Sequence, residues 1–208
     1  MKIVAILSQK GGSGKTTLTL NLAVAAGKAG KSVAVIDLDP QASSAGWKDS
    51  RPGDSPYVLP LPHARLPQAL QAAKEGGADL MFIDTAPHTE TPALAAAKAA
   101  DLILIPTRPG ILDIRAIGTS AELAKLAGKP AYVVLNAMPV RAPQIMADAT
   151  AAVGVHGLPV APVVIQQRAA YSHALTAGKT AQEFEPEGKA AEETVQLYNW
   201  LCSVLPKT

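Results

Sequence analysis

The sequence predicts an α/β protein, with a mostly parallel central sheet flanked by helices on both faces. Three observations lead there. Short apolar runs recur with amphipathic stretches between them, an alternation that joins parallel strands through crossover helices. A glycine- and lysine-rich loop follows the first apolar run directly. Aspartates close the second and third runs, at strand ends, where open sheets of this kind bind ligands.

Taken in order, Ile3 to Leu7 is the first strand, and Lys10 to Thr17 is the loop, read Lys-Gly-Gly-Ser-Gly-Lys-Thr-Thr. The spacing predicts a helix over Lys15–Ala29 that the loop opens. A triphosphate needs many donors close to its oxygens and no side chains in the way. Gly11, Gly12 and Gly14, with Ser13 between them, let consecutive N–H groups turn inward. The helix adds the positive end of its dipole and its unpaired N–H groups. Lys15 is placed to bridge the terminal phosphates and the Thr16 hydroxyl to hold a magnesium ion, with Thr17 completing the loop. The usual phosphate-loop pattern asks for glycine at position 9, where this chain has Gln9. The match is therefore to a variant with a second lysine, Lys10, at its entrance. Two lysines on one loop do not readily share a role: Lys15 serves its own nucleotide, and Lys10 is free to reach outward.

The second strand, Val33 to Ile36, leads into Asp37-Leu38-Asp39-Pro40-Gln41. Extended chain turns Asp37 and Asp39 the same way. A Pro/Gly-rich excursion from Ser50 to Pro67 follows, with room for a short strand around Tyr57-Val58-Leu59, and then a helix over Pro67–Lys74. Leu80 to Ile83 runs into Asp84, which makes Asp84 a magnesium carboxylate in the correct order after the loop. Beyond it the patterns give helices at Thr91–Ala99, Ile114–Leu126, Ala142–Ala152, Gln167–Thr176 and Lys189–Leu205. Further strands are expected at Leu102–Ile105, Ala131–Leu135 and, less apolar, Leu158–Val164.

With 208 residues, 48% of them hydrophobic, the chain can build one domain with a substantial core. The first strand begins at once, which argues against a signal peptide or a leading DNA-reading domain. No apolar stretch approaches a membrane span, and the single cysteine, Cys202, offers neither a disulfide nor a metal pair. The expected compartment is the cytoplasm.

The loop with its entrance lysine, the Asp37-to-Gln41 segment and the Asp84 strand together resemble the ParA/MinD family of deviant Walker ATPases, specifically small ParA-type partition proteins without an N-terminal DNA-binding domain. The resemblance spans nearly the whole chain and is densest over Met1–Ala45 and Asp79–Pro109. It implies ATP and Mg2+ as cofactors and a homodimer closed over ATP, in which Lys10 reaches the partner's nucleotide. It implies that Asp39 orients the attacking water, that Asp37 supports the metal shell, and that Thr85 to Thr91 senses the terminal phosphate. Asn136, after the Ala131–Leu135 strand, either contacts adenine as the family's strand-end asparagine does or caps the following turn.

Such ATPases act as weak, partner-stimulated clamps on non-specific DNA in the ParA branch or on membrane in the MinD branch. A membrane-lying helix needs a cationic polar face. The last helix instead carries Glu192 and Glu193, an apolar set of Val195, Tyr198, Leu201 and Leu205, and only Lys189 and Lys207 as cations. It reads as packed on its own domain, so no membrane partner is expected. The net charge is only +2, but phosphate binding needs a local cluster rather than a basic total. Arg141, Arg168, Lys179 and Lys189 are the candidates. Arg168 is foremost, because the segment before it resembles the region where small ParA proteins begin a DNA-contacting helix. The expectation is an ATPase that positions plasmid, chromosome or other cargo over the nucleoid with a ParB-like or other adaptor. The rivals are a metabolic ligase of the dethiobiotin synthetase type and a MinD-like membrane-associated ATPase.

Overall fold

The computed structural model describes residues 1–206; Lys207, counted above among the last cations, lies outside them. Six parallel strands form one sheet in the order β3-β2-β4-β1-β5-β6. They are β1 (Lys2–Ile6), β2 (Val33–Asp37), β3 (Tyr57–Pro60), β4 (Leu80–Asp84), β5 (Leu102–Thr107) and β6 (Ala131–Leu135). The helices are α1 (Lys15–Lys28), α2 (Ser43–Asp49), α3 (Leu66–Glu75), α4 (Glu90–Ala99), α5 (Ile111–Arg115), α6 (Ile117–Ala127), α7 (Pro143–Gly154), α8 (Ala169–Thr176), α9 (Ala181–Phe184) and α10 (Lys189–Val204).

Alternation along the strands sorts the core into two layers. Val4, Ile6, Val35, Phe82 and Leu104 face α1 and α10, while Ala5, Leu7, Ile36, Met81, Ile83 and Ile105 face α3, α4 and α6. Both faces are covered, which is why these strands read as continuous apolar runs. β1 lies between β4 and β5, and its end pairs with the tip of β4, Ile6 beside Asp84. The phosphate loop and the Asp84 carboxylate are therefore neighbours by strand order alone.

The short strand expected around Tyr57-Val58-Leu59 is β3, beside β2. Two expectations change. Leu158–Val164 is irregular chain rather than a strand. That segment still lies along β6, with Ala161 N–H donating to the Val133 carbonyl, but Pro159 and Pro162 have no N–H to extend a ladder. The expected Ile114–Leu126 helix starts earlier and divides at Ala116 into α5 and α6. A short helix, α2, also forms just before the Pro/Gly-rich excursion, where no element was expected.

α10 packs on its own domain. Leu197, Tyr198 and Leu201 are buried, Val195 and Leu205 half-buried, and Trp200 meets Tyr132 edge to face at 5.1 Å. Among the described residues no helix is long and apolar enough to cross a membrane.

Candidate nucleotide site

The site stands at the carboxyl ends of β1, β2 and β4. β1 feeds the loop, which enters α1 through Gly14 in a left-handed conformation, φ 96°. Glycine is required there twice over. Any other residue would be strained at that φ, and its Cβ would collide with the Asn136 side-chain amide. Gly12 also takes a positive φ, whereas Gly11 does not.

The two loop lysines part company. Lys15 is buried, 7% exposed, and donates to the Lys10 carbonyl at 3.4 Å. Burial pushes its pKa down, and the charges of Asp84 and Asp39 oppose that. A buried ammonium facing two carboxylates is a fixed positive charge waiting for anionic oxygen. Lys10 instead lies at the outer lip with its side chain 40% exposed, and its ammonium is paired with Asp113 on α5 at 2.6 Å.

Asp84 is the hub. Thr16 and Ser44 both donate their hydroxyls to its Oδ2, each at 2.8 Å, while Oδ1 is buried without a partner. Burial raises its pKa to about 7; the Thr16 bond opposes the rise and the Asp37 charge adds to it. An orphaned carboxylate oxygen beside a threonine hydroxyl at a phosphate loop fits a divalent cation. Asp37 is differently employed. Its Oδ1 accepts the Asp39 N–H at 3.0 Å, and its Oδ2 accepts those of Ser44 at 2.9 Å and Ala45 at 3.3 Å. Both oxygens thus hold backbone, so Asp37 is not free as a ligand and would bear on a cation at Asp84 only through Ser44. Burial raises its pKa, against those three bonds. Asp39 is half-buried, accepts the Gln41 N–H at 2.9 Å, and lies close enough to Lys15 to act on its charge. After Asp84, Thr85 donates to the Ile6 carbonyl at 2.8 Å, and His88 N–H reaches the Gln9 carbonyl. The Thr85–Thr91 segment is thereby tied to the loop's entrance.

A cleft of about 600 Å3 opens beside the loop, lined by Gly12, Gly14, Thr17, Arg108, Asn136 and Arg168 among others. Asn136 donates its amide to the Ser13 carbonyl at 2.8 Å, so it braces the loop and also faces the cleft. Arg168 is part of this wall. Its guanidinium bonds Glu193 at 2.6 Å and Gln166 at 2.5 Å, and the Glu193 bond raises its pKa. Lys189 pairs with Glu192. Of the four cations considered for DNA, two are therefore neutralised by α10, while Arg141 and Lys179 are exposed on separate loops.

Sequence reasoning missed Ser44, Asp113 and Arg108. Ser44 lies in a Ser-Ser-Ala-Gly stretch whose helix has little intrinsic support. Asp113 and Arg108 flank the end of an apolar strand, as many surface charges do; only their nearness to the loop distinguishes them.

The model of the CobQ/CobB/MinD/ParA nucleotide-binding domain matches residues 4–181. The chain belongs to this family. It is 31% identical over 209 residues to the maintenance of carboxysome distribution protein A of Gloeobacter kilaueensis, covering 99% of this chain and 94% of that protein. With the protein of the same description from Halothiobacillus neapolitanus it shares 30% identity over 206 residues, 94% of each. Its fold matches the cell division ATPase MinD of Pyrococcus furiosus with a TM-score of 0.76 at 26% identity, over 98% of this chain and 99% of that one.

Proposed function

We propose that the protein is a positioning ATPase of the ParA type: a weak, partner-stimulated hydrolase of ATP that switches between monomer and ATP-joined homodimer. The observation that carries the reading is the divergence of the two lysines. Lys15 is buried against Asp84 and Asp39, and Lys10 is exposed at the lip. An outward lysine has no use for its own nucleotide but is placed to serve a partner's, and a cation supplied that way accelerates phosphoryl transfer by about a thousandfold or more in well-studied cases.

When bound, magnesium would neutralise phosphate charge; Thr16 and Asp84 are the residues that would hold it. Lys15 and the loop N–H groups hold the phosphates, Asp37 keeps Ser44 on Asp84, and Asp39 orients a water. Asn136 faces the base. The dimer then binds DNA without sequence preference, and an adaptor triggers its release, giving a cytoplasmic, nucleoid-associated protein. The two relatives matched over nearly their full length distribute carboxysomes, which favours a large protein assembly as cargo over a plasmid or chromosome.

Binding to random-sequence duplex DNA, measured with ATP, ADP and no nucleotide at two salt concentrations, tests the reading. Binding only with ATP, weakened by salt, is expected. No DNA binding with the ATP dimer intact would move the clamp to a protein or membrane partner. No dimer, with rapid turnover of a small metabolite, would make the protein a ligase.

A further inference from the structure

We propose that Arg108 is a further nucleotide-binding residue, its guanidinium closing over the phosphates held by the chain's own loop. The proposal rests on the nucleotide-binding reading above and adds a third cation to the site.

Arg108 directly follows β5, the strand beside β1, so its loop runs next to the phosphate loop. A Cβ built on Gly12 would lie 3.9 Å from Arg108 Nη2, which places the guanidinium beside the loop with room for about one side-chain carbon between them. The same cleft is lined by Gly12, Gly14, Thr17 and Asn136. The backbone of this segment is held firmly. Asn136 N–H donates to the Thr107 carbonyl at 2.8 Å, Thr107 is buried, and Pro109 has a fixed φ and disfavours helical backbone at Arg108 before it.

Charge distinguishes Arg108 from its neighbours. Lys10 is taken by Asp113, Arg168 by Glu193, and Lys15 faces Asp84 and Asp39. Among the described residues the Arg108 guanidinium makes no hydrogen bond or ion pair, although it stands beside the loop built for anionic oxygen. A planar fork of five donors suits phosphate bidentately, and this one has no carboxylate to give up on binding. A chain that needed Arg108 only for solubility would not have to place it against Gly12.

Calorimetric titration of the whole protein with ATP, ADP and adenosine, each with magnesium, tests the assignment on wild type, Arg108→Ala, Arg108→Lys and Lys15→Ala. Arg108→Ala is expected to weaken ATP and ADP by about tenfold or more, the scale of a lost charge-assisted hydrogen bond. Adenosine binding stays as in wild type, and lysine restores only part of the loss. Arg108 is exposed, so both variants keep the nucleotide-free melting temperature. Wild-type ATP affinity in Arg108→Ala overturns the proposal, as does an equal loss for adenosine, which would mark a base contact. Unchanged binding with loss of the ATP dimer also overturns it and assigns Arg108 to the partner's nucleotide. Lys15→Ala reports on the site itself: if it binds ATP normally the nucleotide reading falls, whereas loss there with normal Arg108→Ala binding sinks Arg108 alone.

Discussion

Two lysines five positions apart on one loop have opposite environments, and that contrast makes their variants separable. Lys15→Ala removes a buried charge aimed at the phosphates and is expected to abolish nucleotide binding. Lys10→Ala removes an exposed one and is expected to keep nucleotide affinity while losing the ATP dimer. Equilibrium dialysis reads the first and light scattering after gel filtration the second; a Lys10→Ala protein that dimerises and hydrolyses normally would sink the trans role. Asp113 holds Lys10 in the monomer, a pairing no spacing rule announces. Asp84→Ala deletes the carboxylate whose Oδ1 is unpartnered. It is expected to leave ATP affinity measurable in the absence of magnesium but to abolish the gain on adding it. That Lys15 and Asp84 meet beside the loop was legible because phosphate chemistry calls for those residue types beside a strand end. The employment of Asp37 was not, since whether an oxygen is free depends on which N–H groups the folded chain brings to it.

At the scale of elements, α2 connects Asp84 to the turn before α9. Ser44 in its first turn bonds Asp84, and Trp47 donates its indole N–H to the Lys179 carbonyl at 3.1 Å. Just beyond α2, Arg51 lies over the Trp47 ring at 4.8 Å and grips Glu183 of α9 with two bonds of 2.6 and 2.8 Å. Burial works against the Glu183 charge, but Arg51 and the Thr180 N–H outweigh it and hold its pKa below the ordinary 4.5. A carboxylate held low stabilises the fold above its unfolded pKa and withdraws that support as pH falls through the folded value. Melting temperatures across acid pH should therefore fall less steeply in Glu183→Gln than in wild type. Arg51→Ala should cost about 2 kcal/mol near neutral pH, the scale of hydrogen bonds to a charged group; denaturant unfolding would check it. A loss within error would show that the clasp contributes little. α2 was invisible in the sequence because tertiary bonds from Asp37 and Asp84, rather than helix propensity, hold its first turn.

For the whole molecule, stability and ligand binding are linked. A ligand at one hundred times its dissociation constant stabilises the fold that binds it by about 2.7 kcal/mol. Magnesium and ATP should raise the melting temperature of wild type and leave that of Lys15→Ala unmoved, as a thermal-shift measurement would show. Phe82, fully buried at the middle of β4, anchors one core layer. Phe82→Ala should cost about 3–5 kcal/mol, and because β4 carries Asp84 it should also weaken the magnesium-dependent part of ATP binding.

The order of apolar runs, the loop and the two aspartate segments determined the parallel fold and the end of the sheet at which the loop and Asp84 meet, because periodicity and loop chemistry are local properties of the chain. Leu158–Val164 lies along β6 at the edge opposite β3 without becoming a strand for a partly local reason, the missing proline donors. Only the tertiary structure decided that Arg168 belongs to Glu193 and the cleft wall, that Lys10 is held by Asp113, and that Arg108, unpaired among the described residues, stands beside Gly12. Those outcomes depend on which charges meet across segments remote in sequence, and pairing at close range is a property of the folded surface rather than of spacing along the chain.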